Sequence, residues 1–149
     1  MKIFIGSDHN GFKYKKQIID YLRSLKYEVV DVGDKVLDPE DDFPKFASEV
    51  VDLLLSSNDK TDKAILVCGS GQGMCMAANR FKGIRASLCW NVTEAFDSRN
   101  DDDSNVLCLS AHQLNFEEIK AITSSYLNTP FAAAPRYIRR IKQLDQLGG

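Results

Sequence analysis

No run of ~18 apolar residues occurs anywhere in this chain, so it offers no candidate transmembrane helix. There is no C-x-x-C pair, and Cys68, Cys75, Cys89 and Cys108 match no zinc-ligand spacing, so no metal site is expected. Positive charge is not in excess either: the net charge is -2, which gives no electrostatic footprint for nucleic acid. Internal repeats and low-complexity tracts are missing too, and 149 residues is the usual size of one domain. The strand-like Met1-Lys-Ile-Phe-Ile-Gly6 opens the chain, so no signal peptide is expected, and the cysteines read as reduced thiols of a cytoplasmic protein. What remains, with 44% hydrophobic and 27% charged residues, is the composition of a soluble globular domain.

The stretch Ala64-Ile-Leu-Val-Cys68-Gly69-Ser70-Gly71-Gln72-Gly73-Met74 stands out. Four apolar residues in a row suit a central strand of a parallel sheet covered on both faces. Gly69, Gly71 and Gly73 let the backbone turn sharply and approach a ligand closely. Amides at the start of the following helix favour an anion, and the same field is expected to lower the pKa of the Cys68 thiol. Three familiar phosphate loops do not fit. A dinucleotide fingerprint needs glycine at position 74, a Walker loop needs a lysine, and a cysteine phosphatase loop needs an arginine at the position Met74 occupies. Cys75, Cys89 and Cys108 lie in apolar stretches and read as inert small hydrophobes.

Strand and helix patterns alternate five times along the chain. Strands are expected at Lys2 to Gly6, Tyr27 to Val32, Ala64 to Cys68, Ile84 to Trp90 and Asn105 to Leu109. Helices are expected at Phe12 to Leu25, Phe43 to Ser56, Gly73 to Arg80, after a Thr93 cap, at Phe116 to Leu127 and at Arg136 to Leu147, the last ending at Gly148-Gly149. Asp42 is the expected cap of the second helix. This order builds a three-layer α/β/α sandwich around a five-stranded parallel, Rossmann-like sheet, because each crossover needs a helix to return the chain. Ligands bind such sheets at the carboxyl ends of the strands. Asp8 and His9, Cys68 to Gly73, Asn91 and His112 all fall at such ends.

Four blocks together carry a family resemblance: Gly6-Ser-Asp8-His9-Asn-Gly11, Cys68-Gly-Ser-Gly-Gln-Gly73, Ala77-Ala-Asn79-Arg-Phe-Lys-Gly83-Ile-Arg85-Ala86 and Asp103-Ser-Asn105-Val. The chain resembles, over nearly its whole length, the type B ribose-5-phosphate isomerases and the related galactose-6-phosphate isomerase subunits. That resemblance implies aldose–ketose isomerisation of a sugar phosphate through an enediolate, with no metal and no cofactor. It gives Cys68 the role of base, Ser70 that of proton relay and the amides of Gly69, Gly71 and Gly73 that of an anion hole. Asp8 becomes a sugar-hydroxyl ligand and His9 a phosphate contact. Arg136 and Arg140 match two family arginines that bind phosphate in a partner subunit's site, so a homodimer or tetramer with a C-terminal helix reaching the partner is expected.

The chain also departs from the family pattern. Asp101 and Asp102 stand where the family usually has its ring-opening histidine and a sugar-binding asparagine. His112 replaces a phosphate-binding arginine, and Ala134-Pro135 replaces two glycines. Asp101 can accept the anomeric proton but, ionised, cannot donate one back. Two carboxylates near a phosphate dianion repel it unless Arg99, Arg136 or Arg140 screens them. Ribose 5-phosphate is the expected substrate. The alternatives are another pentose or hexose phosphate, or a non-catalytic sugar-phosphate-binding protein on the same scaffold.

Overall fold

The computed structural model describes residues 1–148. Its centre is a five-stranded sheet of β1 (Lys2–Ser7), β2 (Glu28–Asp31), β3 (Lys63–Cys68), β4 (Ala86–Leu88) and β5 (Val106–Ser110), in the order β2-β1-β3-β5-β4. Every pairing is parallel. Parallel neighbours need crossovers, and helices supply them: α1 (Phe12–Ser24), α2 (Phe43–Ser56), α3 (Gln72–Ala78), α4 (Val92–Asn100) and α5 (Phe116–Asn128). A sixth helix, α6 (Pro135–Asp145), follows.

The two faces of the sheet are two separate cores, because successive strand side chains point opposite ways. Ile3, Ile5, Ile65, Val67, Leu107 and Leu109 pack against Ile18, Ile19 and Leu22 of α1 and Ile119, Ile122 and Tyr126 of α5. Phe4, Ala64, Leu66, Cys68, Val106 and Cys108 pack against Phe46, Val50 and Val51 of α2 and Met74 and Ala78 of α3. All six residues of β3 are buried, as a central strand covered twice must be. The expected three-layer sandwich is therefore the observed one.

Local differences have local causes. β4 is shorter than its apolar run, since it is an edge strand and Trp90 turns out into solvent, 58% exposed. The cap of α4 is Asn91, whose Oδ1 accepts from the Glu94 amide at 2.8 Å; Thr93 lies inside the helix. Asp42 occupies the cap position of α2 but makes no capping hydrogen bond. Asn115 and Glu118 form a reciprocal capping box on α5. α4 runs on to Asn100, so the polar run from Arg99 begins inside a helix. α6 ends at Asp145 rather than Leu147 and buries none of its residues; the expected terminus at Gly149 lies outside the described residues.

Candidate active site

The strand order changes direction between β1 and β3: from β1 the chain steps outward to β2, and from β3 it leaves toward the other edge. Loops leaving the carboxyl ends of two such strands splay apart and open a crevice. The β1 loop carries Asp8 and His9, and the β3 loop carries Cys68 to Gly73. They are tied together, since the Asp8 amide donates to Val67 O at 3.3 Å. Gly11 makes this approach possible: a Cβ there would stand 2.4 Å from Val67 O.

Asp8 is 6% exposed and closes its own turn, accepting from the Asn10 and Gly11 amides at 3.0 and 3.1 Å. Burial pushes its carboxyl up, against those hydrogen bonds and the neighbouring His9. His9 faces Asp41, whose Oδ1 lies 2.7 Å from His9 Nδ1. That contact raises the His9 pKa, and Asp8 adds to it. Cys68 is 4% exposed at the end of β3. The amides at the helix start imply a lowered thiol pKa, and the structure reverses this. Burial raises it, outweighing the Met74, Gly71 and Gly73 amides that converge on the sulfur, and the Asp8 charge pushes the same way.

The glycine loop is held from three sides. Gly71 takes φ +75 as the residue preceding α3, a conformation that favours glycine, and it backs onto the Leu109 carbonyl. Gly73 lies under the Phe43 ring, 2.8 Å from where a Cβ would stand. Gly69 lies against His112, with its would-be Cβ 2.7 Å from His112 Cε1, and beside the Asn10 amide group. From β5, Ser110 Oγ donates to Gly69 O at 2.8 Å and the His112 amide donates to the same oxygen at 3.0 Å. Ser70 is exposed, its Oγ accepting from the Gln72 amide at 3.2 Å. Asp8, His9, Cys68, Gly69, Ser70, Gly71, Gly73 and His112 thus form one group.

The remaining sequence-derived residues form a second group at the opposite end of the sheet. Asn105, just before β5, pairs with the amino end of β3 through Ala64 N to Asn105 O at 3.0 Å. The six residues of β3 set that end about 16 Å from Cys68 at the usual strand rise. Asp101 follows α4 there, its Oδ1 accepting from Asn100 Nδ2 at 2.8 Å. Asp102 sits beside it. Burial and the Asp101 charge raise the Asp102 pKa, and Arg140 of α6 opposes them. Asp102 borders a 710 Å³ cavity together with Arg85 and Asp145, not with the Cys68 loop. Arg136 is exposed and stacks on its neighbour Tyr137, 4.5 Å from the ring centroid. Asp101 therefore cannot work with Cys68 of its own chain. Arg99 cannot screen a ligand either: it is 7% exposed and spent on Asp103, Ser104 O and Thr129 O.

Asp41, Asn10 and Phe43 belong to the first group, and sequence reasoning missed them. Asp41 is one of several acids in a loop, and nothing in the local pattern separates it from Asp38 or Asp42. Among the described residues no group of three or more His, Cys, Asp or Glu side chains is placed to hold a metal ion, and no helix is long and apolar enough to cross a membrane.

The chain has counterparts among known proteins. Residues 3–144 match the family model described as Ribose/Galactose Isomerase. The ribose-5-phosphate isomerase B of Mycolicibacterium paratuberculosis is 33% identical over 146 residues, 98% of this chain and 91% of the relative. The structure of the Clostridium thermocellum ribose-5-phosphate isomerase B superposes with a TM-score of 0.93 at 33% identity, covering 99% of this chain and 97% of that one. The Mycoplasma genitalium enzyme, solved with bound ribulose-5-phosphate, superposes with a TM-score of 0.91 at 39% identity, covering 97% and 94%.

Proposed function

The chain belongs to the ribose/galactose isomerase family, and from that premise we propose that it interconverts an aldose phosphate and its ketose, with ribose 5-phosphate and ribulose 5-phosphate as the first pair. The observation that carries this reading is a buried thiol ringed by three backbone amides, next to a buried carboxylate, in the crevice of the sheet. The similar Mycoplasma genitalium structure holds the ketose product.

In this reading the Cys68 thiolate removes the proton from C2 of the open-chain aldose. The electron pair moves into the C1–C2 bond, and the carbonyl oxygen becomes an enediolate oxygen. Amides of the glycine loop stabilise that charge as preorganised donors. Ser70 passes a proton between the two sugar oxygens, and the Cys68 thiol returns its proton to C1. A positioned base of this kind contributes a factor of ~10²–10⁴. The raised thiol pKa makes Cys68 a stronger base that is less often ionised at rest. Asp8 orients a sugar hydroxyl, while His9 and His112 flank the phosphate end.

Ring opening and the far side of the phosphate need the second group, which in one chain lies past the other end of β3, a strand about 16 Å long. A second copy supplies it, so Asp101, Asp102, Arg136 and Arg140 act across a dimer interface in a cytoplasmic homodimer. Arg140 beside Asp102 offsets part of the repulsion that two carboxylates impose on a phosphate. That same acidic pair supports a second reading, in which the preferred substrate is another pentose or hexose phosphate that is bound open-chain.

The test is an isomerisation assay on ribose 5-phosphate beside a panel of pentose and hexose phosphates, with solvent deuterium exchange at the carbon next to the carbonyl. Turnover and exchange that both vanish in Cys68→Ala are expected. Exchange persisting in that variant would remove Cys68 from the mechanism. Turnover of another sugar alone selects the second reading, and binding without any turnover makes the chain a sugar-phosphate-binding protein.

A further inference from the structure

The loop between β2 and α2 carries Asp34, Asp38, Glu40, Asp41 and Asp42, and one of these reaches the crevice. Asp41 Oδ1 accepts from the His9 amide at 3.1 Å and lies 2.7 Å from His9 Nδ1. The Asp41 side chain is only 8% exposed, against 33% for the His9 ring. The loop is itself fixed. Lys15 Nζ, buried on α1, donates to Asp34 O at 3.1 Å, and the Asp41 amide donates to Asp38 O at 3.2 Å. Among the described residues His9 Nε2 has no hydrogen-bond partner, so it is the nitrogen left for a ligand.

We propose that Asp41 is a positioning residue that sets the protonation and tautomer of His9, so that the ring accepts an anion only as an imidazolium. This rests on the reading of the crevice as a sugar-phosphate site. A carboxylate on Nδ1 requires a proton there. When the ring is charged, Nε2–H is also a donor and faces phosphate favourably. When the ring is neutral, the single proton stays on Nδ1 toward Asp41, and Nε2 becomes an acceptor that repels a phosphate oxygen. Anion binding is thereby tied to one proton.

The sign follows from the groups that face the ring. Asp41, then Asp8 and Asp38, all favour the charged form and raise the His9 pKa above its usual 6.5. Phosphate binding therefore holds to a higher pH than an unassisted histidine would allow, then falls steeply once His9 loses its proton.

The decisive experiment follows the His9 ring by nitrogen-15 NMR while titrating inorganic phosphate, in the wild type and in Asp41→Ala and Asp41→Asn. A His112→Gln chain assigns the two histidines. Neither readout needs turnover, so a failure here is separable from a failure of the isomerase reading. In Asp41→Ala the His9 midpoint should fall and the neutral ring should shift to the Nε2–H form. Phosphate should bind about tenfold more weakly near neutral pH, with a shallower pH dependence. If the alanine variant does not fold, Asp41→Asn removes the charge alone and should still lower the midpoint. With a turned-over sugar phosphate, KM should rise by more than kcat falls. An unchanged His9 titration with unchanged phosphate affinity in the folded variants would overturn the assignment.

Discussion

Burial holds the Cys68 thiol in its neutral form, whereas Cys75, half-buried on α3, is drawn down to about 7 by hydrogen bonding with Cys108. Cys89 is pushed up to about 11 by burial, and the Cys108 thiol is held well above its ordinary value by its hydrogen bond with Cys75 and by burial. Cys75 is therefore expected to react more readily than its apolar neighbours imply. Alkylation by iodoacetamide of the ligand-free protein should modify Cys75 first near neutral pH. Cys68 should follow only as pH rises above 9.0, the ordinary thiol value. Peptide mass spectrometry over a pH series reads the order directly. If Cys68 reacted first, the three amides would be outweighing its burial. That a thiol ends the strand was legible from residues Ala64 to Cys68; its pKa was not, because amides and burial oppose each other and only packing sets their balance.

At the scale of elements, the crevice depends on how α1 is fastened to β2. Lys15 of α1 is 2% exposed and lies 2.8 Å from Asp31 Oδ1 at the end of β2, while Lys35 reaches the other carboxylate oxygen at 3.0 Å. Burial pushes the Asp31 carboxyl up, but Lys15 and Lys35 outweigh it and the net pKa is lowered. The stability this gives is fully present above the ordinary 3.8 and is lost as pH falls through the lower folded value. Asp31→Asn should cost about 2 kcal/mol in urea unfolding near neutral pH. That is less than for a fully buried pair, because Asp31 is 23% exposed and solvent screens it. The difference from wild type should shrink in acid, where both chains lack the charge. Since Lys15 also holds Asp34 O, the variant should loosen the loop that carries Asp41.

Across the whole molecule, the residues proposed for the site fall into two groups, one at each end of the sheet. Nothing buried in α6 fixes it to its own domain; Arg85 reaches Asp145 at 3.5 Å, and the preceding linker bonds through Ala132 N to Asn100 O at 3.0 Å. Apolar side chains left exposed on and just before α4, such as Trp90, Val92 and Phe96, suit burial against a second copy. Mixing Cys68→Ala chains with Arg140→Ala chains should therefore restore about a quarter of wild-type activity, since half of the dimers are mixed and each has one intact site. Asp101→Ala should complement Cys68→Ala in the same way. Silence in verified mixed dimers would place both half-sites in one chain and sink the shared-site reading.

Periodicity and punctuation alone determined much of this protein. The apolar run before Cys68, the glycines after it and the strand–helix alternation are local, and local sterics and hydrogen bonding dictate their outcome. They set the α/β class, the loop at Cys68 and the turn at Asp8. Only the tertiary structure decided the rest. Strand order brings the Asp8 and Cys68 loops together, while the return through α4 leaves Asp101 at the amino end of β5, although Asp101 is no farther along the chain from Cys68 than Cys68 is from Asp8. Partnering across loops likewise chose Asp41 from a run of acids and burial raised a thiol that neighbouring amides would have lowered. Those outcomes come from contacts between distant segments, whose energies depend on distance and dielectric rather than on position in the chain.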